Sequence, residues 1–171
     1  MENMTAALEF ARNAHRNQTR KYTGLPYVGH VVAVSEIVAA HGGDDNQIIA
    51  ALLHDTVEDT DVTLESVRAK FGDDVATLVE ELTNVYEAAD YPHLSRAARK
   101  ALEAERLGKI SPRAQTIKYA DFLNNGEDIL AQDADFAKVY LREMAHKLEL
   151  MTLGDPELRQ EVLNRVIKSV R

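Results

Sequence analysis

The sequence predicts an all-α fold, a single compact bundle of about 8–10 helices spanning residues 1–171. Three observations predict it. Apolar residues recur at spacings of three and four rather than two, the period of a helix face and not of a strand. Proline, which interrupts helices, occurs only four times in 171 residues. Ser, Thr or Asp stands ahead of most of the periodic segments, where its side chain can accept a hydrogen bond from the first helical turn. No alternating strand, internal repeat, low-complexity stretch or dividing linker breaks the pattern. The length corresponds to about one domain, and such a chain buries about 70% of its unfolded surface, enough for a core without staples.

The elements follow in order. A first helix is expected over residues 5–17, with Ala7, Phe10, Ala11 and Ala14 inward. Gly24 and Pro26 mark a loop. A second helix starts near Tyr27 and carries Val31, Val34 and Val38 on one stripe, ended by Gly42 and Gly43. Asp44 or Asp45 caps a third, with Ile48, Ile49, Leu52 and Leu53. Thr63 caps a short helix to Lys70. Asp73 or Asp74 opens the next, with Val75, Leu78, Val79 and Leu82. Residues 84–94 read as an irregular loop. Ser95 begins a helix to about Leu107. Ser111-Pro112 is an N-cap followed by the first helical position, opening a helix with Ile117, Ala120 and Leu123. A long helix over residues 135–153 carries Phe136, Val139, Met144, Leu148 and Met151. Asp155-Pro156 repeats the Ser-Pro logic for the last.

Composition narrows the function. With no cysteine, disulfides, thiolate catalysis and cysteine zinc sites are excluded. A net charge of −8 lacks the overall basic footprint of a nucleic-acid polymer binder. No apolar run nears the ~18 residues of a membrane span, and MENMTAALEF has no basic and apolar leader pattern. A cytoplasmic protein without a membrane partner is the expectation.

The polar residues that break the apolar pattern are more informative. On one continuous helix over residues 48–59, at about 100° per residue, His54 and Glu58 share a face, as do Asp55 and Asp59. The second pair sits on the edge of the apolar stripe. Carboxylates at a helix C-terminus oppose the helix dipole, and a bound cation would reverse that cost. His30 lies inside the stripe of the second helix, where a satisfied core histidine is the simpler reading. His41, beside two glycines, reads as a helix-end residue. Asp121 borders the stripe of Ile117, Ala120 and Leu123, with Asn125 one turn on. Two histidines and two aspartates from three helices can hold one divalent ion. The mixed nitrogen and oxygen set suits Mn²⁺, Fe²⁺, Zn²⁺, Ni²⁺ or Co²⁺ better than Mg²⁺ or Ca²⁺.

HDTVEDT at residues 54–60 resembles the signature of the HD superfamily of metal-dependent phosphohydrolases. AALLHDTVEDTDVTLESVRAKFGDDVATLVEELT, with HRNQTRKYTGLPYVGH upstream and IKYADFLNN downstream, is similar to the hydrolase domain of the RelA/SpoT family. Its small alarmone hydrolases, including the metazoan SpoT homologues, are the nearest subgroup. The resemblance implies an HD-type helical domain. It implies His30, His54, Asp55 and Asp121 as metal ligands, usually for Mn²⁺, and Glu58 and Asp59 as the acidic pair that positions or activates water. It implies Arg20, Lys21 and Asn125 at the nucleotide, and hydrolysis of (p)ppGpp to GDP or GTP plus pyrophosphate. No synthetase domain has room in the chain.

An anionic guanosine substrate meets a chain at −8, so binding needs a concentrated basic wall. Arg12, Arg16, Arg20 and Lys21 can form one side and Arg96, Arg99 and Lys100 another, with Lys138 a further candidate. Arg99, Lys100 and Lys138 read more simply as solvated helix charges. The family pattern is departed from at Val31, where relatives have proline, at Phe122, where they have a basic residue, and in GEDIL after Asn125. The alternatives are another HD phosphohydrolase, such as an NADPH 2′-phosphatase or a nucleotidase, and an inactive nucleotide-binding module. A homodimer is left open.

Overall fold

A computed structural model describes residues 2–132 and 134–168. Ten α-helical segments and one π-helical turn occur among them, with no strand beyond a single Thr19–Pro26 bridge. The helices are α1 (Glu2–Ala14), α2 (Val28–Ala40), α3 (Asp45–Leu53), α4 (Thr56–Asp59), α5 (Leu64–Phe71), α6 (Asp73–Leu82), α7 (Arg96–Leu107), α8 (Pro112–Gln132), α9 (Ala134–Leu150) and α10 (Pro156–Val162). The all-α expectation holds.

Local chemistry sets most boundaries. Asp44 accepts from the Gln47 amide while the Gln47 side chain accepts from the Asp44 amide, a reciprocal cap that starts α3. Thr63, Ser95 and Asp155 cap α5, α7 and α10 in the same sense. Ser111 Oγ accepts from the Ala114 amide at the start of α8. Gly42 ends α2 with φ +75°, a left-handed conformation that costs glycine nothing. Three details depart from the sequence reading. The first helix ends at Ala14 and leaves residues 15–17 as a turn. The ninth ends at Leu150, so Met151 and Leu153 belong to the following loop. The chain after α10 winds into a π turn, Leu163–Ile167. The Phe136 side chain lies outside the described residues.

The core is one continuous apolar cluster, with Val31, Val34 and Val38 of α2, Leu53 of α3, Val79 of α6, Ile117 of α8 and Leu148 of α9 all fully buried. α2, α3 and α8 pack on one another at its centre; α2 carries His30, α8 carries Asp121 and Asn125, and His54 and Asp55 follow the end of α3. Two buried polar groups fasten the periphery. The Gln115 amide donates to the carbonyls of Leu107, Gly108 and Ile110 and accepts from the backbone of Leu153 and Gly154. A Glu103–Arg106 pair grips the start of the 83–94 loop. Arg106 donates to the Glu81 and Thr83 carbonyls, and Glu103 accepts from the amides of Val85 and Tyr86. No helix of the described residues is long and apolar enough to cross a membrane.

Candidate metal centre and active site

His30 from α2, His54 and Asp55 from the α3–α4 junction, and Asp121 from α8 converge. His30 Nε2 lies 3.3 Å from Asp121 Oδ1 and 3.5 Å from Asp55 Oδ2. His54 Nε2 lies 3.1 Å from Asp55 Oδ2 and 3.8 Å from Asp121 Oδ1. One ligand atom each of His30, His54 and Asp121 falls within a 4.8 Å span. The continuous helix drawn over residues 48–59 does not exist. α3 stops at Leu53, and Asp55 sits at φ −100°, ψ −3° before a new turn. The break lets adjacent residues face one point, whereas an unbroken helix would splay them by about 100°.

Each histidine is oriented from behind. His30 Nδ1–H donates to Asn124 Oδ1 at 2.7 Å, and His54 Nδ1–H donates to the Ala51 carbonyl at 2.7 Å. In the neutral rings so oriented, both Nε2 atoms direct their lone pairs inward, buried and without a hydrogen bond. Buried polar atoms are rarely left so. Histidine ligands of metals show this arrangement, with the far nitrogen donating to an oxygen. The carboxylates are held likewise. Tyr27 OH donates to Asp55 Oδ2 at 2.7 Å, Asn125 Nδ2 donates to Asp121 Oδ1 at 2.6 Å, and Lys118 Nζ pairs with Asp121 Oδ2 at 2.8 Å.

The electrostatics point to a cation. Burial opposes the charge on His54, yet Asp55 and Asp121 outweigh it and raise its pKa to about 10. His30 is raised against burial by the same carboxylates. Burial works against the charge of Asp55 and Asp121 too, but the histidines and, for Asp121, above all Lys118 hold both below the usual carboxylate range. Protons thus occupy the role that a divalent ion would take over, and the donor set fits one.

The acidic pair flanks this cluster. Glu58 accepts from the Asn84 backbone amide at 3.1 Å and from its side chain at 2.6 Å. Desolvation raises its pKa, with Lys118 and the Asn84 amide opposing. Asp59 Oδ2 accepts from Gln18 Nε2 at 2.9 Å, and Gln18 Oε1 accepts from buried His15 Nδ1 at 2.7 Å.

The basic candidates divide. Arg20 and Asn125 join the centre. The Arg20 guanidinium bonds Asp128, donates to Asn125 Oδ1 at 2.9 Å, and reaches Asn124 Oδ1 at 3.4 Å. Lys21 lies exposed, its Nζ 5.1 Å from the Tyr22 ring centroid. Arg96 pairs with Glu143 at 2.6 Å across α7 and α9. Lys138 is exposed on α9 and does not line the cavity between those helices. His41 is the C-cap of α2, between Asp155 and Glu161, in keeping with its reading as a helix-end residue. Tyr27, Asn84, Lys118 and Asn124 were not singled out by the sequence. Only Lys118 and Asn124 carried a signal, as neighbours of Asp121 in IKYADFLNN.

Residues 7–147 match the family model described as HD domain. The chain is 42% identical over 126 residues to the human guanosine-3′,5′-bis(diphosphate) 3′-pyrophosphohydrolase MESH1, covering 72% of this chain and 67% of the relative. It is 43% identical to the Drosophila melanogaster protein of that name over 125 residues, 71% of this chain and 66% of the relative. It is 39% identical over 130 residues to the guanosine-3′,5′-bis(diphosphate) 3′-pyrophosphohydrolase of Aquifex aeolicus, 72% of this chain but 17% of that one. The matched stretch thus spans about two thirds of the animal relatives and a small part of the bacterial one. Among solved structures, one described as a metazoan orthologue of SpoT that hydrolyses ppGpp superposes with a TM-score of 0.85 at 31% identity, covering 100% of this chain and 98% of that one. Lmo0812 of Listeria monocytogenes superposes at 0.70 with 28% identity, covering 88% and 98%.

Proposed function

The chain belongs to the HD domain family, and on that premise we propose that it is a metal-dependent hydrolase of (p)ppGpp that releases pyrophosphate from the 3′ position. We read residues 1–171 as one hydrolase domain acting in the cytoplasm on a small guanosine nucleotide. The observation that carries the reading is the pair of buried, unbonded Nε2 atoms of His30 and His54, aimed at one point beside two carboxylates. All four side chains come from one chain, so the site needs no second copy.

His30, His54, Asp55 and Asp121 would hold the ion, with Mn²⁺ the choice that suits imidazole and carboxylate together. A divalent ion there supplies water of lowered pKa and polarisation of a phosphoryl oxygen. Glu58, held by Asn84 and kept basic by its raised pKa, takes the proton from the attacking water. Asp59, held by Gln18, orients that water. Oxygen from water ends on phosphorus, the bond from phosphorus to O3′ breaks, and the proton ends on O3′ of GDP or GTP. Lys118 keeps one oxygen of Asp121 occupied and its charge balanced. Lys21, Arg96 and Asn125 are the proposed nucleotide contacts, whereas Arg20, tied to Asp128, acts by holding the two asparagines. Lys138 has no part in this reading.

The test is turnover of ppGpp by the purified protein with Mn²⁺, scoring GDP and pyrophosphate, beside EDTA and His54→Ala controls. Pyrophosphate released with metal and lost in both controls is expected. A wild-type protein that holds metal by elemental analysis yet leaves ppGpp intact would refute the substrate, and the same assay run on NADPH and nucleoside monophosphates then identifies the alternative.

A further inference from the structure

A cavity of about 230 Å³ opens between α7 and α9, lined by Arg96, Lys100, Phe122, Tyr140, Glu143 and Lys147 among others. Clefts that enclose drug-sized ligands run to about 300–1,000 Å³, so this one suits a single small group. Lys118 links it to the metal centre, pairing with Asp121 at 2.8 Å while lying over the Phe122 ring that lines the cavity. The ammoniums of Lys118 and Lys147 lie 5.6 and 5.7 Å from the Phe122 ring centroid.

The cations here are unevenly matched. Lys118 is committed to Asp121 and Arg96 to Glu143. Among the described residues no carboxylate lies within ion-pair distance of Lys147 or Lys100, and neither has a further contact beyond those stated. Both are half-buried, against the reading of Lys100 as a solvated charge. Burial, Lys118 and Lys100 together push the Lys147 ammonium down to about 8. Gathering partly desolvated like charges costs free energy, and an anion in the cavity would offset that cost.

We propose that this cavity is an anion subsite in which Lys147, with Lys100, binds a phosphate group of the substrate. The identity of the ligand rests on the phosphohydrolase reading; the uncompensated positive charge does not. The groups acting on Lys147 are Lys118 and Asp121 from α8 and Lys100 and Glu103 from α7, with Arg96, Tyr140 and Glu143 lining the same cavity. Only the ammonium form binds an anion, so affinity should fall as pH rises through about 8.

The test measures binding of inorganic pyrophosphate to the metal-loaded protein by calorimetry across roughly pH 7–9, a window chosen to bracket that titration. Lys147→Met should weaken binding about 10–100-fold at the low end, the worth of a charge-assisted contact. The difference between wild type and this variant should shrink towards the high end. Lys147→Arg, which keeps its charge throughout and guards against a merely misfolded variant, should restore affinity without the alkaline loss. With ppGpp, KM should rise by the same factor in Lys147→Met while kcat stays within about twofold, the pattern of lost uniform binding. Unchanged pyrophosphate affinity in Lys147→Met, or an alkaline loss that survives in Lys147→Arg, overturns the subsite. Loss of the pyrophosphate effect therefore counts against the subsite, whereas a wild type that ignores ppGpp counts against the substrate alone.

Discussion

Replacing Arg20 by methionine separates two roles that sequence similarity cannot. The guanidinium fixes the side-chain oxygens of Asn124 and Asn125. Asn124 Oδ1 also accepts from His30, and the Asn125 amide nitrogen donates to Asp121. Without Arg20 only its bond to Asp121 holds the Asn125 amide in register, and Asn124 loses one of the two donors that fix its oxygen. The loss of such indirect support to metal ligands costs about 10–100-fold in metal affinity. The effect on the fold itself is smaller, because Asp128 is 37% exposed and regains water. A pair of that exposure is worth about 1 kcal/mol at most, or about 2–4 °C in Tm for a chain of this size. Competition with a fluorescent chelator, beside thermal melts without metal, measures both. Arg20→Met should bind Mn²⁺ about 10–100-fold more weakly, and saturating Mn²⁺ should restore KM for ppGpp to near the wild-type value. Unchanged metal affinity with a KM that stays high at saturating metal would refute the reasoning and make Arg20 a nucleotide contact.

Metal addition should stabilise the protein by about 2.7 kcal/mol at 100-fold excess over Kd, or roughly 5–10 °C in Tm, and His54→Ala should abolish the shift in a calorimetric melt. Activity should fall on acidification at a pH above the ordinary carboxylate range, because Glu58 is raised and must be ionised to accept a proton. Glu58→Gln should lose about 10²–10⁴ in kcat together with that acid limb, and a limb surviving in the variant assigns the base elsewhere. By linkage, the Glu58 contribution to stability is fully present below its unfolded pKa and lost as pH rises through the folded one. Gly126→Ala would place a Cβ 2.4 Å from Val166 Cγ1, and overpacking of this kind costs about 1–3 kcal/mol; a melt within 1 °C of wild type would show that the π turn yields freely.

What the sequence disclosed and what it hid follow from the range of each interaction. The caps at Asp44, Thr63, Ser95 and Asp155 bind amides three residues away, so they are written in adjacent letters. The apolar stripes are legible for the same reason, and they place His30 inside a stripe and Asp55 and Asp121 at stripe edges, whereas His54 is marked by its place in the HD motif. The error over residues 48–59 came from extending a local rule through a break that tertiary packing imposes: a wheel cannot know that α3 stops at Leu53. Arg20 is decided by Asp128, 108 residues on, and Glu58 by Asn84, 26 residues on. Lys147 owes its depressed ammonium to burial and then to Lys118 and Lys100 on two other helices, and nothing in its own neighbourhood of α9 distinguishes it from a surface lysine. The ligands of such a centre are chosen by type and are visible as type. The residues that orient them are chosen by position, and ordinary asparagines, lysines and a tyrosine take on those tasks only once the bundle has closed around them.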